Sequence, residues 1–93
     1  MQEPAGDERT LERIVKGFAN HRRIQIMRLL ERQPDLPLVQ VCSSLRMSVK
    51  AGSEHMRKLA LAGIVAKRCK GRWVLHRLAP PAQRVLAFLK TIG

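Results

Sequence analysis

The sequence predicts a mainly α fold, α+β in class, with one small β-hairpin in its C-terminal third. Over most of the chain apolar residues recur at steps of three and four, which is the period of an amphipathic helix. After Gly63 the period changes to two, which is typical of strands. Pro80 and Pro81 then mark the start of a last helix, because proline is favoured in the first helical turn. The predicted order is four helices, two strands and a fifth helix.

The first two helices are predicted from their capping residues and apolar spacing. The first begins near Asp7 or Glu8, whose negative charges favour a helix N-terminus. Asn20 is a suitable N-cap for the second helix, and Pro34 ends it. Residues 1–6 lack apolar periodicity, so we expect them to form a flexible tail.

Two short helices follow in a pattern that is typical of a helix-turn-helix at about 37–62. The first of the pair ends near Leu45. Ser48 is a good N-cap for the second, and Gly63 is its natural C-terminal stop. Gly52 is unusual in this helix, because glycine in a helix interior costs about 1 kcal/mol relative to alanine. It predicts either a close approach of a neighbouring element or loose first turns.

A hairpin with a basic tip is predicted at about 64–78. Arg68, Lys70 and Arg72 surround its turn. Cationic side chains there can reach phosphates or the minor groove beside a helix that occupies the major groove. The arrangement is that of a winged helix-turn-helix. We expect Trp73 to be a packing residue rather than one that stacks on a base.

The charge of the chain is strongly positive and unevenly placed. Its 93 residues include 18 Lys and Arg against 7 Asp and Glu, for a net charge of +11. Residues 36–93 hold eleven of the basic residues and a single acidic residue, Glu54. A basic block within one folded domain, here residues 7–93, indicates phosphate binding, whereas a solvated basic surface is the alternative. We therefore expect a polyanionic partner.

Size and composition argue against several functions. A domain this small leaves little room for a closed catalytic cleft, and no carboxylate pair, Ser/His/Asp set or phosphate loop has suitable spacing, so we expect no enzyme. No apolar run approaches a membrane span and the N-terminus does not resemble a signal sequence. We expect a soluble cytoplasmic protein associated with the nucleoid. Cys42 and Cys69 lack the spacing of a zinc site or disulfide framework, so neither a metal nor another cofactor is predicted.

The helix that begins after the Ser48 cap is predicted to enter the major groove of double-stranded DNA, which is about 12 Å wide and admits a helix. Lys50 and Arg57 can donate to guanine, and a carboxylate can accept from cytosine. Glu54 is therefore either a base reader or a repulsive neighbour of phosphate, and His55 either lies near a phosphate or packs. The predicted DNA-binding residues are Ser48, Val49, Lys50, Ser53, Glu54, His55, Arg57 and Lys58 on this helix, with Arg68, Lys70 and Arg72 on the hairpin.

Three segments of the chain share their patterns with one protein family. Residues 18–27 are similar to LAxxxRxxIL, residues 53–65 to SxHLxxLxxAGLV, and residues 68–78 to RxxGRWVxYxL. Taken together, about two thirds of the chain resembles the ArsR-type (arsenic-repressor-like) winged-helix transcription regulators.

The resemblance implies a homodimeric repressor joined by its first helix and its last, at about 80–92. Two recognition helices then lie one DNA turn, about 34 Å, apart. The residues implied at the dimer interface are Leu11, Ile14, Val15, Phe18, Val85, Leu86, Leu89 and Ile92.

The chain departs from the family at its metal sites. Metal-sensing members carry Cys-x-Cys early in the third helix, where this chain has Pro-Leu-Val at 37–39. Another site uses Asp and His on the last helix, and residues 79–93 contain neither. No metal site is carried over, and the effector is unknown. Gly52 stands where the family usually has a β-branched residue, and Glu54 where it often has a basic or polar one.

Two other functions stay open at this point. A small duplex-RNA or ribonucleoprotein-associated protein shares the charge and size, although three aromatic residues make no stacking platform for single strands. A winged-helix module that binds protein is disfavoured by the charge of residues 36–93.

Overall fold

The structure is a computed structural model that describes residues 7–93, and the predicted tail at 1–6 lies outside the described residues. Its elements follow the predicted order, with one additional short strand. Between residues 7 and 93 no helix combines the length and the apolar character that crossing a membrane requires. The elements are α1 (Glu8–Phe18), α2 (His21–Arg32), β1 (Leu36–Pro37), α3 (Leu38–Leu45), α4 (Val49–Leu61), β2 (Val65–Lys70), β3 (Trp73–Leu78) and α5 (Pro80–Ile92).

Three helices begin where the sequence places a capping side chain. Oδ1 of Asp7 lies 2.8 Å from an amide nitrogen in the first turn of α1. Oδ1 of Asn20 lies 2.9 Å from one at the start of α2, and Oγ of Ser48 lies 3.0 Å from one at the start of α4. These hydrogen bonds satisfy amide groups that have no partner within the helix. They confirm the predicted caps Asn20 and Ser48, and they show that Asp7 caps the helix predicted to begin near it.

The three strands form one antiparallel sheet in the order β1, β3, β2. β2 and β3 pair along their whole length, from Val65 with Leu78 to Lys70 with Trp73. The two-residue turn between them starts at Gly71, whose φ of 61° suits a tight hairpin turn. The sequence does not predict β1, because two residues, one of them proline, carry no alternating pattern.

Only one face of this sheet is covered by the helices. On the covered face, His76 is 5% exposed and its Nδ1 lies 3.0 Å from the carbonyl oxygen of Leu36 on β1. Trp73 points to the other face, because successive side chains of a strand alternate. Its side chain is 53% exposed, so Trp73 is not part of the buried core, and its role as a packing residue rather than a base-stacking one stays a prediction.

Helix α2 lies at the centre of the fold and contacts α1, α3, α4, α5 and β3. Full burial of a side chain such as Leu or Ile contributes about 1.5–3 kcal/mol, so α2 anchors both α4 and the sheet. Its side chains at 26, 27, 29 and 30 are at most 2% exposed. They belong to a core that also includes Val41, Met56, Leu59, Ile64 and Leu86.

Helices α3 and α4 approach each other closely at Gly52. A Cβ added there would overlap Sγ of Cys42, which is buried, and burial raises the pKa of this thiol. The first turn of α4 is also regular, since the Gly52 amide donates to the carbonyl of Ser48 at 2.9 Å. Of the two alternatives for Gly52, the close approach is therefore confirmed. Gly17 allows a similar close approach of α1 to the end of α4, because a Cβ at this position would overlap the Cβ of Ala62.

The residues implied at the dimer interface differ in their exposure. Phe18 and Leu86 are only 8% and 2% exposed. Both pack in the core of this chain, which leaves little of either side chain to contact a second copy, so their assignment to the dimer interface is corrected. Phe88, which was not among the implied residues, is 55% exposed on α5. The remaining implied residues are either exposed (Leu11, Val15 and Ile92) or partly buried against the core (Ile14, Val85 and Leu89).

Candidate nucleic-acid interface

Helix α4 turns one face to the core and the other to solvent. Gly52, Met56 and Leu59 are buried on the inner face. The N-cap Ser48 is itself exposed, but its hydroxyl already accepts the Ala51 amide. Six of the exposed residues of the helix are the outward residues expected from the sequence, namely Val49, Lys50, Ser53, Glu54, Arg57 and Lys58. Leu61 in the last turn is exposed as well.

Glu54 and Arg57 form a two-pronged ion pair on the exposed face. Nη2 of Arg57 lies 2.6 Å from Oε2 of Glu54, and Nε lies 3.2 Å from Oε1. Chiefly through this hydrogen bonding, the pair lowers the pKa of the Glu54 carboxyl and raises that of Arg57. Two donors of the Arg57 guanidinium are thus engaged in this structure. A base edge or phosphate that binds Arg57 must compete with the Glu54 carboxylate.

His55 is half-buried and joins α4 to the end of α1 through Arg23. Arg23 is 8% exposed, and its Nε donates to the carbonyl of Gly17 at 2.7 Å. Its Nη1 lies 3.2 Å from Nδ1 of His55. Because arginine can only donate, Nδ1 accepts and this ring is neutral. This contact favours the packing alternative for His55 over a phosphate contact.

Acidification is expected to weaken the fold through His55. Burial first, and then the charges of Arg23, Lys58 and Arg22, lower the pKa of His55 below its usual value of about 6.5. The unfolded chain therefore takes up a proton at higher pH than the folded chain does. Stability contributed by neutral His55 is then lost as pH falls through about 6.5 and on toward the folded-state value.

Urea denaturation at about pH 7.5 and pH 5.5 measures this loss in the parent protein and in His55→Gln. The free energy of unfolding should fall less in the variant, while the remaining groups titrate equally in both proteins. An identical fall in the two proteins contradicts the assignment to His55.

The wing, defined here as β2, β3 and their turn, presents cations of two kinds. Lys70 and Arg72 are exposed and form no ion pair with any residue of 7–93. Nη2 of Arg68, in contrast, lies 3.6 Å from Oδ2 of Asp35. Arg77 binds the same carboxylate at 2.7 and 2.8 Å, and its hydrogen bonds lower the pKa of Asp35. Lys70 and Arg72 are therefore free cations at the tip of the wing.

Lys67 is a candidate site residue that the sequence reasoning missed. It lies opposite His76 in the β2 and β3 register, so it shares the covered face of the sheet. Lys67, Ser53 and Arg57 line one shallow depression between α4 and this face. The alternation of the strand could have revealed this, because Lys67 is two residues from buried Val65. Lys67 adds a cation beside the exposed face of α4.

Candidate metal ligands do not converge in the part of the chain that the structure describes. Between residues 7 and 93 no three His, Cys, Asp or Glu side chains are grouped so that they could hold an ion. Cys42 and Cys69 are free thiols, the first buried and the second exposed.

Comparison with known proteins identifies one family. The family described as "Bacterial regulatory protein, arsR family" matches residues 20–67. The "Arsenic resistance transcriptional regulator ArsR1" of Pseudomonas putida is 34% identical over 80 residues, which are 85% of this chain and 62% of that protein. The "Arsenical resistance operon repressor" of Escherichia coli is 31% identical over 67 residues, which are 72% and 57%. The chain thus spans about three fifths of the length of these relatives.

Solved structures confirm the fold class. A homodimeric winged helix-turn-helix DNA-binding domain from Mycobacterium bovis has a TM-score of 0.84 at 26% identity, covering 98% of this chain and 86% of that one. Reduced HlyU from Vibrio cholerae has a TM-score of 0.80 at 26% identity, covering 99% and 97%. The predicted winged helix-turn-helix is the fold of this protein.

Proposed function

The chain belongs to the arsR family of bacterial regulatory proteins, and on that premise we propose that it is a sequence-specific regulator of transcription that represses by binding double-stranded DNA. The observation that carries the proposal is the exposed face of α4. It presents Lys50, Ser53 and Arg57 to solvent, with Lys67 beside them and the free cations of the wing on the neighbouring hairpin. No catalytic activity is proposed, since the family is regulatory.

In the proposed complex α4 lies in the major groove. Lys50, Ser53 and Arg57 contact base edges, which specify the sequence. The remaining cations position the protein by binding phosphates, which carry no sequence information. They are Lys58 on α4 and Arg68, Lys70 and Arg72 on the wing.

The proposed regulator is a homodimer that acts on the nucleoid in the cytoplasm. Leu11, Val15, Phe88 and Ile92 expose large apolar side chains on α1 and α5. A second copy covering them would bury surface that is otherwise unfavourable in water. A two-fold dimer also suits a palindromic operator with half-sites about one helical turn apart.

Selection of bound duplexes from a random pool tests the proposal. We expect a preferred palindromic sequence, bound far more tightly than random DNA. A competing RNA duplex of the same sequence should displace the labelled DNA poorly. The duplex-RNA alternative finds no support among the relatives, which are named as transcriptional regulators or DNA-binding domains. Equal binding of all DNA sequences would contradict sequence-specific regulation.

The Lys70→Ala variant is expected to weaken binding to every duplex by the same factor. Its ammonium group is free in this structure and is proposed to bind phosphate, so its removal eliminates about one counterion release. The slope of log K against log salt should become shallower by about one, as measured by fluorescence anisotropy between 50 and 200 mM salt.

The matched control is Arg84→Ala, which removes an exposed cation from α5. Its salt slope should equal that of the parent protein. A loss in Lys70→Ala that depends on the DNA sequence would show that Lys70 reads bases instead.

A further inference from the structure

A cluster of arginines lies between α2 and the end of α3. Arg28, Arg32 and Arg46, named here the arginine cluster, are all exposed. None of them has a carboxylate within 4 Å among residues 7–93. They line one shallow depression together with Arg22, Gln25, Ser44 and Leu45, so its lining includes no acidic residue.

The arginine cluster is unfavourable by itself in two respects. Arg28 and Arg32 are four residues apart on α2, and like charges at that spacing destabilise a helix. Arg46 has a φ of 56° at the C-cap of α3, a conformation in which glycine is favoured. The nearest acid along α2, Glu31, is instead 3.3 Å from Lys90 on α5. Departures of this kind from local preference are expected at functional sites, and here they gather positive charge.

The cluster is joined to the start of α4 by Arg22. Nη2 of Arg22 donates to the carbonyls of Leu45 at 2.7 Å and Arg46 at 3.3 Å. These bonds satisfy carbonyl groups at the end of α3 that have no helical partner, and they hold the backbone of Arg46 in place. Arg46 precedes the N-cap of α4, Ser48, by two residues. Arg46, at one end of the cluster, is therefore placed close to the end of α4 from which a recognition helix contacts base edges.

We propose that the arginine cluster is a second phosphate-binding surface, which holds the DNA backbone flanking the groove segment that α4 occupies. This inference rests on the proposed DNA-binding function. Helix α4 packs against β2 and against α3, so the wing reaches DNA from its sheet side and the cluster from its α2 and α3 side. The depression lacks acidic groups that would repel phosphate, and guanidinium groups suit phosphate oxygens well.

Two duplexes of different length test the proposal. One is trimmed to the selected operator, and the other carries about half a helical turn, about 5 bp, more at each end. Arg28→Gln, Arg32→Gln and Arg46→Gly are compared with the parent protein by anisotropy over a range of salt, with Arg84→Gln as the matched control. Glycine at position 46 relieves the positive φ, so a thermal melt should show that Arg46→Gly is at least as stable as the parent.

On the longer duplex each cluster variant should make the salt slope shallower by about 0.9, the change for one lost phosphate contact. On the trimmed duplex the variants should match the parent, and Arg84→Gln should match it on both. Equal losses on the two lengths would overturn the proposal, because they indicate a long-range charge effect. If the cluster variants bind both duplexes as the parent does but no longer bind inorganic pyrophosphate, the proposal is overturned, because the cluster is then a site for a small anion.

A different set of results is expected if the proposed DNA-binding function itself is wrong. In that case the parent protein prefers no duplex sequence, and Lys70→Ala has no effect on the salt slope. If the parent binds the operator normally and Lys70→Ala changes the salt slope but no cluster variant does, only the proposed role of the arginine cluster is refuted.

Discussion

The Arg57→Ala variant is expected to bind the selected operator about 10- to 100-fold more weakly than the parent protein, while its affinity for random DNA changes much less. Arg57 lies on the exposed face of α4, and a bidentate contact from arginine to guanine discriminates between bases by a factor of this size. The measurement is anisotropy with the operator and with a scrambled duplex at one fixed salt concentration, because affinities for DNA depend strongly on salt. Equal losses on the two duplexes would refute base reading by Arg57.

The ion pair with Glu54 adds a second test of the same residue. In Glu54→Gln the side-chain shape is kept but the negative charge is lost, so both prongs of the guanidinium are released from a strong competitor. We expect random DNA to bind more tightly, because a charge that repels phosphate has gone. The operator should gain less, because Arg57 is no longer held in one orientation. The ratio of operator to random affinity should therefore fall.

The double variant Glu54→Gln with Arg57→Ala distinguishes two explanations for a lower ratio of operator to random affinity. If Glu54 acts by positioning Arg57, then Glu54→Gln should change the affinity ratio little once Arg57→Ala is present. If Glu54 itself accepts a hydrogen bond from cytosine, its effect on the ratio should persist in the Arg57→Ala background. Lys58→Ala is a suitable control for charge on the same helix, since Lys58 is proposed to bind phosphate and should affect both duplexes alike.

The order of elements was predictable because each helix carries a local signal. Asn20 and Ser48 mark two helix starts, and both accept amide hydrogen bonds in the structure. β1 carries no such signal, because it is fixed by pairing with β3 far along the chain. The exposure of Trp73 could not be predicted either, because the alternation of a strand indicates two faces of the sheet but not which of them the helices cover.

The site was predictable as a face of a helix and only partly as a set of contacts. Helical spacing placed Lys50, Ser53 and Arg57 on the outward side of α4, where they lie in the structure. The partner of His55 could not be predicted, because Arg23 is 32 positions away and only the packing of α2 against α4 brings them together. The local pair of Glu54 and Arg57, at a spacing of three, could have been predicted from helical geometry alone.

The Gly52→Ala variant is expected to be less stable than the parent, although alanine favours a helix by about 1 kcal/mol over glycine. The added methyl group would overlap Sγ of Cys42, and overpacking in a close-packed core costs about 1–3 kcal/mol. Larger side chains, β-branched ones included, should cost more, because Sγ of Cys42 already overlaps the position of a Cβ at residue 52. Ser53→Ala, on the exposed face of the same helix, is the control and should change stability by about 0.5 kcal/mol or less.

A double-mutant cycle with Cys42→Ala tests the contact itself. Removing the buried sulfur alone should destabilise by about 0.5–1.5 kcal/mol, the cost of deleting one buried group. With both changes the methyl group introduced at position 52 fills the space that Sγ vacates, the overlap disappears and the helical preference for alanine is kept. Urea denaturation should then show the double variant to be more stable than Gly52→Ala, with a favourable coupling of about 1–3 kcal/mol. Strictly additive losses would show that Gly52 serves some purpose other than the close approach of α3 and α4. The contact with α3 determines the position of α4. The double variant should therefore bind the operator as the parent does, whereas Gly52→Ala should bind it more weakly.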